Sequence, residues 1–144
     1  MAKFPSDEVS SDAATTQPTL ERLQTRSQVD FDLEFFGRIL TRAPEFVDVL
    51  RCQGELLTRK GMHDDALRID RELARLLPDD CIVRYNLACS LALVGDTIEA
   101  IDELRAAFER GYDDLGHLEI DSDLDGIRDL PEFQLLLDEY GLDD

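Results

Sequence analysis

Residues 47–80, VDVLRCQGELLTRKGMHDDALRIDRELARLLPDD, and residues 81–114, CIVRYNLACSLALVGDTIEAIDELRAAFERGYDD, decide how this chain is read. Laid over one another they are offset by 34 positions, and the coincidences fall where sterics are tightest. Gly61 meets Gly95, Ala66 meets Ala100, Leu57 meets Leu91 and Val49 meets Val83. Gly54 falls on Ala88, Arg71 on Arg105, and Asp79-Asp80 on Asp113-Asp114. The same shift carries Pro44 onto Pro78 and Leu33 onto Leu67. A fixed period of this length marks a repeat architecture, in which each unit buries its apolar face against the next.

Working outward, the apolar spacing is helical. Phe31, Phe35, Ile39 and Leu40 recur at three and four residues and share one face. Pro44 closes that helix, because proline disfavours helical backbone in the residue before it. The pattern predicts further helices over 47–60, 64–77, 82–94 and 98–110. Gly61 and Gly95 stand where each first helix must end and turn, as a glycine C-cap does. No β-type alternation of any length competes.

Two helices and a glycine turn in 34 residues resemble the tetratricopeptide repeat. Residues 47–80 and 81–114 look like two tandem units, with Gly54 and Ala88 as the small residues of the first helices. Ala66 and Ala100 are the small residues opening the second helices, and Pro78 ends the first unit. Residues 28–46 look like a partial unit. There are departures: Leu50 and Arg84 replace the usual large aromatic, Asp70 stands where a large apolar residue is common, and Gly111-Tyr112 replaces a closing proline. The expected fold is all-α, a tetratricopeptide-type α-solenoid fragment with a C-terminal capping helix. Residues 1–27, rich in Ser, Thr and Pro and poor in large apolar groups, are expected to form a flexible tail. Residues 28–144 are expected to form the helical domain, with 115–144 as its acidic capping segment.

Composition narrows the function. With 33 acids against 15 bases the formal net charge is −18. A phosphate backbone needs a basic face, and an anionic membrane repels an acidic one, so neither nucleic acid nor membrane is an expected partner. Asp113 to Asp144 holds twelve acids and one base, Arg128. No run approaches the ~20 apolar residues of a membrane span, and Met1 to Ser10 lacks the apolar core of a secretory signal. A cytoplasmic protein is expected. The three cysteines, Cys52, Cys81 and Cys89, have no paired spacing and read as buried, reduced hydrophobes. His63 and His117 are far apart in sequence, and no cofactor or metal is expected from these residues. No nucleophile–base pair or phosphate-binding glycine loop is visible, so an enzyme is not expected.

The resemblance implies a protein–protein interaction module whose first helices line a short concave groove. Helical spacing puts Arg51, Glu55 and Arg59 of one unit there, with Asp48 at its edge. The next unit supplies Tyr85, Asn86 and Cys89, flanked by Ile82 and Leu93. Another protein or a peptide is the expected partner, and the chain itself is expected to be a monomer or weak homodimer. A small acidic chaperone for a secreted bacterial protein is an alternative. A carboxylate clamp, which holds a partner's C-terminus in some repeats of this family, would use Arg51 and Asn86. Glu55 would repel that carboxylate, and Gly116 and Ile120 replace the clamp's last bases.

One further motif competes. Asp121, Asp123, Asp125, Asp129 and Glu132 have the spacing of a calcium-binding EF-hand loop, with Gly126 at its turn. Arg128 and Pro131 do not suit that loop. The stretch 121–137 also resembles the tail that follows many bacterial tetratricopeptide arrays, D-x-D-L-x-x-L-R-x-x-P-x-F-x-x-L-L. On that reading Leu124, Ile127, Phe133, Leu136 and Leu137 cover the end of the array, and Pro131 is the first residue of the capping helix.

Overall fold

The computed structural model describes residues 28–141. The expected N-terminal tail, 1–27, lies outside the described residues. Eight helices follow one another: α1 (28–42), α2 (Val47–Arg59), α3 (His63–Leu76), α4 (Cys81–Val94), α5 (Thr97–Glu109), α6 (Leu115–Ile120), α7 (Asp125–Arg128) and α8 (Pro131–Glu139), with a 3-10 turn, Ser122–Leu124, before α7. Among the described residues there is no strand. The helices α2 to α5 begin and end within a residue or so of the limits set by apolar spacing and glycine.

The 34-residue period reappears as a period of backbone bonds. Beyond α2 the Met62 amide donates to the Leu57 carbonyl at 2.9 Å, and beyond α4 the Asp96 amide donates to the Leu91 carbonyl at 2.9 Å. Both closures need the residue between to take positive φ, and Gly61 (φ 79°) and Gly95 (φ 90°) supply it. Helix starts repeat as well. The Asp80 carboxylate accepts from the Ile82 and Val83 amides at 2.9 and 3.1 Å, and Asp114, 34 residues on, accepts from the His117 amide at 3.1 Å. By register α6 is therefore a shortened first helix of a third unit. Replacing Asp80 by Ala should cost about 1 kcal/mol, the usual worth of an N-cap, read from urea unfolding.

Helix α4 is the central element, packed against α3, α5, the 3-10 turn and α7. Its small residue, Ala88, is fully buried, as are Leu91 of α4 and Ala100, Leu104 and Ala107 of α5. The equivalent of Ala88 in α2 is Gly54, where an added Cβ would sit 3.3 Å from Ile69 Cγ2 of α3. A side chain at Gly54 would therefore press on α3. Helix α1 lies beside α2, where the Gln53 amide group donates to the Leu33 carbonyl at 3.4 Å and Lys60 pairs with Asp30.

Leu124, Ile127, Phe133 and Leu136 are buried together with α4 and α5 in one core, so residues after 120 close the end of the array. Equivalent arginines mark the same stacking step. Arg71 of α3 makes a two-pronged pair with Glu99 of α5 (2.6 and 3.0 Å), and Arg105 of α5 reaches Glu139 of α8 at 2.7 Å. Exposed pairs of this kind add little stability. They tie α3 to the start of α5 and α5 to the end of α8.

One expectation needs correction. Cys52 is exposed on α2, not buried, because the apolar face of that helix runs through Val49, Leu50, Leu56 and Leu57. The segment expected as an acidic cap opens with the helix α6.

Candidate functional site

Between α2 and α4, floored by α3 and closed at one end by α6 and the 3-10 turn, lies a cleft of about 460 Å³. Arg51, Glu55, Arg59, Asn86, Cys89 and Leu93 all line it. They converge because α2 and α4 are the equivalent first helices of adjacent units and present the same face. Three residues expected at the groove lie elsewhere. Asp48 and Ile82 are exposed but outside the cleft. Tyr85 is only 2% exposed. Its ring stacks on Tyr112 with centroids 4.3 Å apart and planes within 5°. The short helix α6 then brings His117 against the same ring, at 5.6 Å. The Tyr85 hydroxyl donates to Asp121 Oδ2 at 2.7 Å, and burial raises its pKa well above the usual phenol value. Tyr85 belongs to the wall, not to the open surface.

The cleft is charged. Its arginines are already engaged, Arg51 with Asp80 at 3.3 Å and Arg59 with Glu55 at 3.8 Å. On the floor Asp70 is buried beside Gly54 and accepts a hydrogen bond from the Ser90 hydroxyl. Burial pushes its carboxyl up to about 6, against the pull of that hydrogen bond. At the far end Asp121 and Asp123 face Cys89, with Cys89 Sγ 3.5 Å from Asp121 Oδ2. Burial first, then the two aspartates, raises the thiol's pKa and keeps the sulfur protonated. Burial also raises the pKa of Asp123.

The calcium-loop spacing folds differently from an EF-hand. Asp121 accepts from the Asp123 amide at 3.0 Å to cap the 3-10 turn. Asp125 opens α7 and sits 3.5 Å from Arg128, Asp129 follows α7 at its C-terminus, and Glu132 lies in the first turn of α8. Among the described residues the acids of this stretch that gather with a third ligand atom are Asp121 and Asp123, and that third atom is the sulfur of Cys89. Arg128, awkward for a calcium loop, donates to the Leu118 and Asp121 carbonyls at 3.1 and 2.7 Å and so pins α6 to the turn. For the carboxylate clamp, Arg51 and Asn86 do share the cleft, but Glu55, Asp70, Asp121 and Asp123 make it a poor host for an anion.

Sequence reasoning missed Asp70, Ser90, His117, Asp121 and Asp123 as cleft residues. Asp70 carried a signal, being a carboxylate at a position where the repeat pattern wants an apolar residue. Among the described residues no helix is long and apolar enough to cross a membrane.

No family model and no curated protein sequence matches the chain. Solved structures do match by shape. Two crystal structures of MamA, a protein of the tetratricopeptide type, superpose with a TM-score of 0.56 at 18% identity. One match covers 85% of each chain, and the other covers 86% of this chain and 80% of that one. At this identity the likeness speaks for the fold: an all-helical, tetratricopeptide-like solenoid.

Proposed function

We propose that the chain is a protein–protein interaction module, an adaptor or scaffold that takes a basic peptide or helix into the cleft between α2 and α4. The observation that supports this reading is the convergence of side chains from α2, α3, α4 and α6 on one cleft whose carboxylates outnumber its arginines. A Lys or Arg of a partner entering there would meet Glu55 at the rim and Asp70 on the floor. Charge complementarity of this kind sets specificity and association rate. The apolar stem of such a side chain would pack on Leu93 and Leu73.

Replacing the exposed Glu55 by Lys tests it without disturbing the core. Co-purification with the tagged full-length chain identifies the partner, and its affinity is then measured for Glu55→Lys and for Glu109→Lys, an exposed change at the end of α5 outside the cleft. Glu55→Lys should weaken binding at least about tenfold, or ~1.4 kcal/mol, and Glu109→Lys should leave it within about twofold. Equal losses from the two variants, or none from Glu55→Lys, would show that the partner does not use this cleft.

A further inference from the structure

The acidic end of the cleft has a donor set that peptide binding does not need. Cys89 Sγ on α4 and the carboxylates of Asp121 and Asp123 present one ligand atom each, all within 4.8 Å of one another. His117 Nε2, at the end of α6, lies 3.1 Å from the same Asp121 Oδ2 that sits 3.5 Å from the sulfur. A tetrahedral zinc ion, with bonds of about 2.3 Å to sulfur and about 2.0 Å to nitrogen and oxygen, separates its sulfur and oxygen ligands by about 3.5 Å. It separates nitrogen from oxygen by about 3.3 Å. Both observed spacings, each measured to Asp121 Oδ2, match those values; His117 stands outside the group that lies within 4.8 Å, and its half-exposed ring turns inward to complete the set.

The surroundings agree. Among the described residues neither carboxylate has a Lys or Arg partner, so two like charges face each other across the site. The Asp123 amide and the Tyr85 hydroxyl each donate to Asp121 and fix its orientation. Such second contacts are what hold a carboxylate ligand in place. A donor set of one thiolate, one imidazole and carboxylates suits a borderline divalent ion, whereas calcium takes six or more oxygens.

We infer that Cys89, His117, Asp121 and Asp123 form a binding site for a zinc-type divalent cation, which clips the capping segment to the last complete repeat. On binding, the Cys89 S–H bond breaks, the proton leaves to solvent, and the sulfur's electron pair forms the bond to the metal; nothing is oxidised or reduced. The cation offsets the local electrostatics, since the two carboxylates that repel one another attract a doubly charged ion. The site stands whether or not a peptide occupies the rest of the cleft.

Titrate the full-length chain, carrying Cys52→Ser and Cys81→Ser, with Zn²⁺ by calorimetry and with Co²⁺ by absorption. One ion per chain is expected, with a thiolate-to-cobalt charge-transfer band. Zinc in hundredfold excess over its Kd should raise the Tm by roughly 5–15 °C. Cys89→Ser should abolish the charge-transfer band and weaken zinc roughly a hundredfold, and His117→Ala at least about tenfold. His117 is half exposed, so that variant keeps the test open should Cys89→Ser fold poorly. Absence of stoichiometric uptake, uptake equal in His117→Ala, or binding of Ca²⁺ but not Zn²⁺ would each overturn the assignment.

Discussion

Replacing Phe133 by Ala should destabilise the protein by about 3–5 kcal/mol, with the loss seen in a single urea transition. Phe133 is 1% exposed and shares its core with Leu118, Leu124, Ile127 and Leu136 as well as with α4 and α5. Removing its ring both withdraws apolar area from burial and leaves a cavity that the short helices around it cannot collapse to fill. Against a total stability of about 5–15 kcal/mol for a domain of ordinary size, that loss is severe. The shape of the transition carries further information. If α6 to α8 fold with the repeats, the midpoint falls and the slope is kept. A loss under about 1 kcal/mol, or a second early transition, would mean that the cap folds apart from the array.

The second large effect is a gain. Asp70→Asn should stabilise the chain at pH 7 by about 2–3 kcal/mol. The carboxyl of Asp70 is held near 6 in the fold, above its ordinary 3.8, chiefly because it is buried. A carboxyl raised in this way binds its proton more tightly folded than unfolded. Its stabilising contribution is complete below pH 3.8 and is lost as the pH rises through 6, leaving a deficit of about 3 kcal/mol at neutrality. Asparagine keeps the shape and can still accept from Ser90, but has no charge to desolvate. The check is the difference in unfolding free energy between wild type and variant from pH 4 to 7.5. It should grow with pH and level off above about 6.5, and a flat difference would show that Asp70 is not the group titrating. A buried carboxylate that lowers stability at neutral pH, in the floor of the cleft, is in keeping with the binding role proposed for that cleft.

The two examples bracket what was legible in the amino-acid order. Helices α2 to α5 could be read because the same steric demands recur at a fixed interval: glycine where φ turns positive, a small residue where helices cross. The start of α8 could be read because Pro131 suits the first helical turn, where its missing N–H leaves no bond unmade. Helix α6 could not, for six residues with Leu115, Leu118 and Ile120 make too little pattern to separate from a loop. The burial of Tyr85 was hidden for a like reason, since helical spacing placed it on the open face and Tyr112, His117 and Asp121, all later in the chain, cover it. His117 and Cys89 are distant in sequence, and their approach depends on how the cap folds back over α4. The repeat is local geometry, legible in order; the acidic end of the cleft is long-range geometry, and is not.

The stacked pair of tyrosines makes the seating of the cap observable in the light the protein emits. The chain has three tyrosines and no tryptophan, so its ultraviolet emission comes from tyrosine alone. Tyr85 lies flat on Tyr112 and donates a hydrogen bond from its hydroxyl to the Asp121 carboxylate, two arrangements that drain a tyrosine's excited state. The second depends on the segment after Asp113 lying across α4. A closed cap therefore darkens the molecule and a lifted one brightens it, which gives the array an unlabelled optical gauge of its own end.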